Sequence, residues 1–402
     1  GLLDRKALNL ALEKDRAPNT ALRFPGKVLA DEQGERLFIA DSAHHRIVVA
    51  ALSGEVLAVV GSGVRGLADG AYAQARFAYP QGMALDGDHL YIADTENHAL
   101  RVADLRQQTV RTIAGDGSLA YRFARGPASQ ARLNSPWDLA LVGRRLYIAM
   151  AGTHQLWDLD LQDMTIGPYA GSGREALLDG PRDRAALAQP SGLTTDGRVL
   201  YFADSEASAI RVAEPGPSGH VRTLIGQGLF DFGDVDGDYL AARLQHPLGI
   251  LWHQGVLYVA DTYNHKIKIV DPQASQVTTW LGGAAGWRDG QAPRFNEPGG
   301  LAGAKGILYV ADTNNHAVRV VDVQARRVST LRLRDPQGLL AESARQVQHA
   351  VLRLPEQHVR PGRAVISLSL DLPQGYKVND EALSLLTWGS ADGVAPSEGQ
   401  QE

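Results

Sequence analysis

One five-residue pattern recurs six times along this chain. It reads Leu-aromatic-aliphatic-Ala-Asp, with small variations: Leu37-Phe38-Ile39-Ala40-Asp41, Leu90-Tyr91-Ile92-Ala93-Asp94, Leu146-Tyr147-Ile148-Ala149-Met150, Leu200-Tyr201-Phe202-Ala203-Asp204, Leu257-Tyr258-Val259-Ala260-Asp261 and Leu308-Tyr309-Val310-Ala311-Asp312. The fifth positions are separated by 53, 56, 54, 57 and 51 residues, and each copy is preceded by a proline: Pro25, Pro80, Pro136, Pro190, Pro247 or Pro298. A period of this length marks a repeat architecture, in which each unit buries its faces only against its neighbours.

Each unit contains four short β runs. In the second they span roughly Gly82–Leu85, Leu90–Ala93, Ala99–Ala103 and Thr109–Ala114, divided by Gly- and Asp-rich turns and without helical periodicity. Four antiparallel strands per unit make a propeller blade, and six lies within the usual number of blades. The sequence therefore predicts an all-β fold, a six-bladed β-propeller over residues 20–340. Its innermost strands should begin near Lys27, Gly82, Asp138, Gly192, Gly249 and Gly300. Blade six is complete through Leu333, so ring closure is expected from side-chain packing or an N-terminal strand. Outside the ring, residues 1–19 read as a helical connector, 341–388 as a short β-rich, partial sandwich-like C-terminal segment, and 389–402 as a disordered tail.

The pattern continues past the Asp. Asp94-Thr95-Glu96-Asn97-His98, Asp261-Thr262-Tyr263-Asn264-His265 and Asp312-Thr313-Asn314-Asn315-His316 resemble the blade signature of the NHL-repeat family. The long connections, such as Asp69-Gly70 leading to Ala75-Arg76-Phe77-Ala78-Tyr79-Pro80, are similar to the subgroup in which a thioredoxin-like domain precedes the propeller and a β-rich domain follows it. The resemblance implies a fold and leaves the function open, because one fold hosts many activities.

Composition excludes several classes. The chain has no cysteine, so it makes no disulfide and no thiolate metal site. A net charge of −5 offers no concentrated positive face for nucleic acid. No apolar run reaches the ~18–20 residues of a membrane span. The start, Gly1-Leu2-Leu3-Asp4-Arg5, shows no signal peptide and no initiator Met, which points to a processed or excised chain, and a cytoplasmic location is expected. A monomer without cofactor is expected.

Candidate chemistry is sparse. Asp41, Asp94, Asp204, Asp261 and Asp312 recur in five blades, as a structural group does; a catalytic group is needed once. They are read as turn-forming residues. His45, His98, His154, His265 and His316 occupy equivalent positions, with Ser208 in the fourth blade; they lie too far from the axis to share one metal and are read as turn residues. In blade three Met150 replaces the Asp, and Trp157 stands where Arg101, Arg211, Lys268 and Arg319 occur elsewhere. Losing both together predicts ion pairs Asp94–Arg101 and Asp312–Arg319, and a Met150–Trp157 contact in their place; the pairs are taken as exposed and worth ~0–1 kcal/mol. Asp231, Asp234, Asp236 and Asp238 form a calcium candidate that does not match a known calcium loop.

The mouth of the central channel is the candidate site. In an up-and-down blade all long inter-blade loops fall on one face, and loops on a rigid scaffold usually carry function. Lys27, Trp137, Asp138, His246 and Glu297 are one-off residues there. They suggest a non-catalytic scaffold that binds a protein or peptide. The alternative is a lyase, a hydrolase or a small-ligand binder in the channel, metal-dependent in some related folds. The innermost positions hold mainly Gly, Ala, Leu and Thr, which favours the scaffold.

Overall fold

In every blade the second strand is almost wholly apolar, because both of its faces pack between neighbouring sheets. Leu90, Tyr91, Ile92 and Ala93 are all buried, as are their counterparts in the other blades. In the computed structural model, which describes residues 20–341 except 122, 123 and 217, these strands build six antiparallel sheets. Blade two runs Pro80–Asp86, His89–Asp94, Ala99–Asp104 and Thr109–Ala114, each strand paired with the next. The core lies in the seams: Phe38, Ile47 and Val49 of blade one share a cluster with Met83, Ile92 and Val110 of blade two. The expected helical connector, C-terminal β-rich segment and tail lie outside the described residues.

Three details differ from the sequence reading. Innermost strands begin at the proline in five blades (Pro25, Pro80, Pro136, Pro190 and Pro298) and at Gly249 in blade five; the proline-started strands have a register irregularity just after the proline. Four of the five long connections also add a two-residue fifth strand to the blade that follows, at Gly70–Ala71, Gly126–Pro127, Gly180–Pro181 and Gly237–Asp238, and the fifth makes a single bridge from Gly290 to Val328.

Ring closure is the third. Blade one receives its edge partner from the chain after blade six: Val56 donates its N–H to the Arg334 carbonyl, and Arg334 donates back to Gly54, both at 2.8 Å. Leu22, Val28 and Leu37 then share a core with Ala302, Tyr309 and Leu340. The segment around Arg334 to Leu340 thus does for blade one what an inter-blade loop does for the others.

The signature Asp residues are structural, but they do not cap their own turns. Each is fully buried. Asp94, Asp204, Asp261 and Asp312 accept the N–H of Ala78, Ala188, Gln245 and Asn296, each 16 residues upstream and at 2.7 Å. Their other oxygen faces the base of the third strand: Asp94–Arg101 at 2.8 Å, Asp204–Arg211 at 2.8 Å, Asp312–Arg319 at 2.6 Å and Asp261–Lys268 at 3.8 Å. The predicted pairs form, yet they are not exposed, since both partners are buried. Burial pushes the Asp94 and Asp312 carboxyls up to about 6, against the pull of Arg101 and Arg319. It pushes Asp261 up to about 7.

Blade one keeps the pair by moving the base two positions. Arg46 donates from Nε to Asp41 at 2.8 Å and from Nη1 to the Leu340 carbonyl at 2.8 Å, so the blade's ion pair also holds the closing segment. In blade three Met150 and Trp157 are buried in one cluster, and the Met150 sulfur accepts the Asn134 N–H at 3.4 Å, the bond an Asp oxygen accepts elsewhere.

The recurring His residues sit in left-handed backbone, φ from +48° to +55°, and all but His154, whose buried Nδ1 has no hydrogen-bond partner, tie blade to blade. The Nδ1 of His45, His98, His265 and His316 accepts the N–H of Tyr79, Ser135, Glu297 and Phe24 at 3.1–3.3 Å, and Ser208 Oγ does the same for His246. The His316–Phe24 bond is a further closure contact.

Candidate functional site: the loop-rich face and the channel mouth

The turn between second and third strands bonds to the end of the long connection in every blade, as Glu96 N–H to Ala78 and Tyr263 N–H to Gln245 show. The turns and the ends of the connections therefore share one face.

At the axis below this face the inner strands nearly touch. A Cβ on Gly82 would lie 2.4 Å from the Asp138 Cα, and one on Gly300 would lie 2.7 Å from the Lys27 Cα. Only glycine permits that approach. Lys27 then spans the ring: its Nζ donates to Asp138 at 3.0 Å, to the Ser191 carbonyl at 2.9 Å and to the Leu248 carbonyl at 2.6 Å. Asp138 also accepts the Leu193 N–H at 3.1 Å. One lysine from blade one thus joins blades three, four and five. Lys27 is 4% exposed. It belongs to the interior of the ring and offers little to a docking partner.

The other three residues stay at the face. Trp137 is half-buried beside Asp138. His246, in left-handed backbone at φ +49°, stacks on Tyr263 with ring centroids 4.6 Å apart, and burial lowers its pKa. Glu206 lies 3.9 Å from the His246 Nδ1. Glu297 is bonded through its N–H to His265. Burial, then the Glu297 and Glu206 charges, raise the pKa of Tyr263. The structure thus brings His246 and Glu297 together around Tyr263, while Lys27 and Asp138 form a separate, deeper pair.

Tyr263 and the aromatic residues of the 226–246 connection were not singled out in the sequence. Phe230 is 89% exposed and Phe232 58%. The available signal was that Tyr263 is the one aromatic residue at its turn position, where the other blades carry Ala43, Glu96, Gly152, Glu206 and Asn314.

The acidic run does not converge on a cation. Asp231 pairs with Arg243, Asp234 with Lys266 and Lys268, Asp236 with Lys268, and Asp238 accepts the Leu240 and Ala241 N–H groups. Among the described residues no group of three or more His, Asp or Glu side chains is arranged to hold a metal. Nor is any helix among them long and apolar enough to cross a membrane.

With this geometry in view, the family model of the NHL repeat matches residues 77–103. NHL repeat-containing protein 2 of Gallus gallus is 38% identical over 95% of this chain, and the human protein is 37% identical over 94%. Protein SUPPRESSOR OF QUENCHING 1, chloroplastic, of Arabidopsis thaliana is 38% identical over 95% of the chain. The chain spans 60%, 59% and 39% of the length of these three relatives.

Proposed function

We propose, for a chain that belongs to the NHL-repeat family of β-propellers, that the loop-rich face is a docking surface for a protein or peptide and that the ring is its non-catalytic scaffold. One observation carries this reading. Of the ten exposed large apolar side chains among the described residues, nine lie in the inter-blade connections or in the turn that holds Tyr263; the exception is Leu57, in a strand. Exposed apolar side chains gathered in one set of loops, and not in the hairpins, are the usual mark of an interaction site. The channel supports the same reading, because its one-off charged residues, Lys27 and Asp138, are spent on each other and on backbone groups. A cytoplasmic monomer is the setting this reading assumes.

The test is a pull-down with the wild type and a Trp137→Ala/Tyr263→Ala/Glu297→Gln variant. The variant should lose its partner while keeping its melting temperature. Unchanged recovery of the partner would overturn the assignment of this face.

A further inference from the structure

The connection between blades four and five is longer than its counterparts at one point. In every connection a backbone N–H donates to the residue three before the blade-opening proline: Gly66 to Phe77, Ala120 to Leu133, Ala176 to Leu187, Gly233 to Leu244 and Gly286 to Phe295. That donor follows the glycine closing the outer strand (Gly61, Gly115, Gly171 and Gly282) by five, five, five and four residues; after Gly226 it follows by seven. The extra residues lie in Leu229-Phe230-Asp231-Phe232.

Only part of this insertion serves the fold. Leu229 packs on Ala188, Ala207 and Ala209 of blade four, whereas Phe230 and Phe232 remain in solvent and contribute no burial. The insertion is nevertheless held in place. Asp231 pairs with Arg243 at 2.9 Å, and the Arg243 Nη1 donates to the Leu240, Ala241 and Ala242 carbonyls at 2.9–3.0 Å. Gln227 Nε2 donates to the Leu240 carbonyl at 2.6 Å, and Asn264 Nδ2 to the Gly233 carbonyl at 2.7 Å. Three turns are thereby tied together, and each presents exposed apolar side chains: Phe230 and Phe232 on the first, Leu240 on the second and Tyr263 on the third. Apolar groups fixed before binding lose little freedom when a partner docks.

The surroundings are acidic. Asp231, Asp234, Asp236 and Asp238 lie in the same connection, and Glu206 adds its charge beside Tyr263. The bases that meet these five carboxylates are Arg243, Lys266 and Lys268, and Lys268 is buried and shared with Asp261. Among the described residues no Lys or Arg lies within ion-pair distance of Asp238 or Glu206, both exposed; Glu206 has His246 at 3.9 Å. An excess of carboxylates repels nucleic acid and favours a cationic partner. We propose that this cluster of turns binds a peptide segment in which aromatic or aliphatic side chains are flanked by Lys or Arg. The inference rests on the docking-face reading above and narrows it to the junction of blades four and five. Phe230, Phe232, Leu240 and Tyr263 receive the apolar side chains and carry most of the affinity, while Asp238 and Glu206 meet the cations at the rim and set selectivity.

Selection of a random-peptide library displayed on phage against the full chain tests the proposal. The recovered peptides are synthesised and titrated into the wild type, Phe230→Ser/Phe232→Ser, Glu206→Gln/Asp238→Asn and Trp137→Ala, with melting temperatures establishing that each variant is folded. The recovered peptides should be enriched in Lys and Arg next to aromatic or aliphatic residues. The double Phe variant should weaken their binding at least about tenfold. The double carboxylate variant should weaken it severalfold and reduce its dependence on salt. Peptides lost on Trp137→Ala but not on the Phe changes would overturn this patch and leave the docking face standing; peptides indifferent to both would count against the face as well. No recovered binder, or binders without cationic enrichment, would also overturn the proposal.

Discussion

Replacing Arg101 by Ala should be among the most damaging single changes in the ring. Arg101 is fully buried and donates to Asp94, to the Arg76 carbonyl and to Asp69 at 2.8 Å, and to the Ala68 carbonyl at 2.7 Å. Its guanidinium also lies 5.0 Å over the Phe77 ring. Removing it strands a buried carboxylate that keeps only Asn97 and the Ala78 N–H, and breaking such a pair costs about 3–5 kcal/mol. At roughly 2–3 °C per kcal/mol for a large domain, the melting temperature should fall by roughly 6–15 °C. Arg106→Ala is the control: Arg106 is 80% exposed and 3.7 Å from Asp88, so its loss should shift stability by at most about 0.5 kcal/mol. Blade three supplies the rescue. Asp94→Met combined with Arg101→Trp copies Met150 and Trp157, and should recover at least half of the lost melting temperature. Calorimetric scans of the four proteins decide the matter. An unchanged melting temperature for Arg101→Ala, or a double variant no better than the single one, would refute the buried-pair argument.

Other outcomes follow from the same contacts. His45 is pushed down to about 4, mainly by burial and then by Arg65, so its share of stability is present above about 6.5 and is lost as pH falls toward 4. Protonation also removes the Nδ1 acceptor for the Tyr79 N–H. His45→Ser, which copies Ser208 of blade four, should match the wild type at pH 7.5 and melt higher than it at pH 5; equal pH profiles would contradict the inter-blade bond. Lys27→Met should lower the melting temperature by removing the partner of Asp138, whose side chain is only 13% exposed, with a cost of about 3 kcal/mol; a neutral result would return Lys27 to the docking face. Gly82→Ala puts a Cβ 2.4 Å from the Asp138 backbone, so it should reduce soluble yield far more than Gly87→Ala, which meets no atom within 4 Å and is strained only by its φ of +57°.

The blades were legible in the sequence because their determinants are local. Strand alternation, the buried Leu-aromatic-aliphatic-Ala run and the glycines at close approach all act within one unit. Even the ion pair showed itself, through the joint loss of Asp and base in blade three. Its burial was not legible, because it depends on carbonyls such as Ala68 and Arg76 that the preceding loop folds over Arg101. Arg46 was missed because blade one moves its base to reach Leu340, a residue brought near only by ring closure. The Lys27–Asp138 pair spans 111 residues and exists because six inner strands converge on one axis.

Hydrogen exchange on the chain alone and in complex with its captured partner tests the docking face most directly. Protection is predicted in the connections and turns of the loop-rich face, above all in peptides covering residues 226–246 and 262–265 and those containing Trp137 and Glu297. Protection concentrated instead on the opposite hairpins, around Asp86–His89 or Leu161–Met164, would contradict the account.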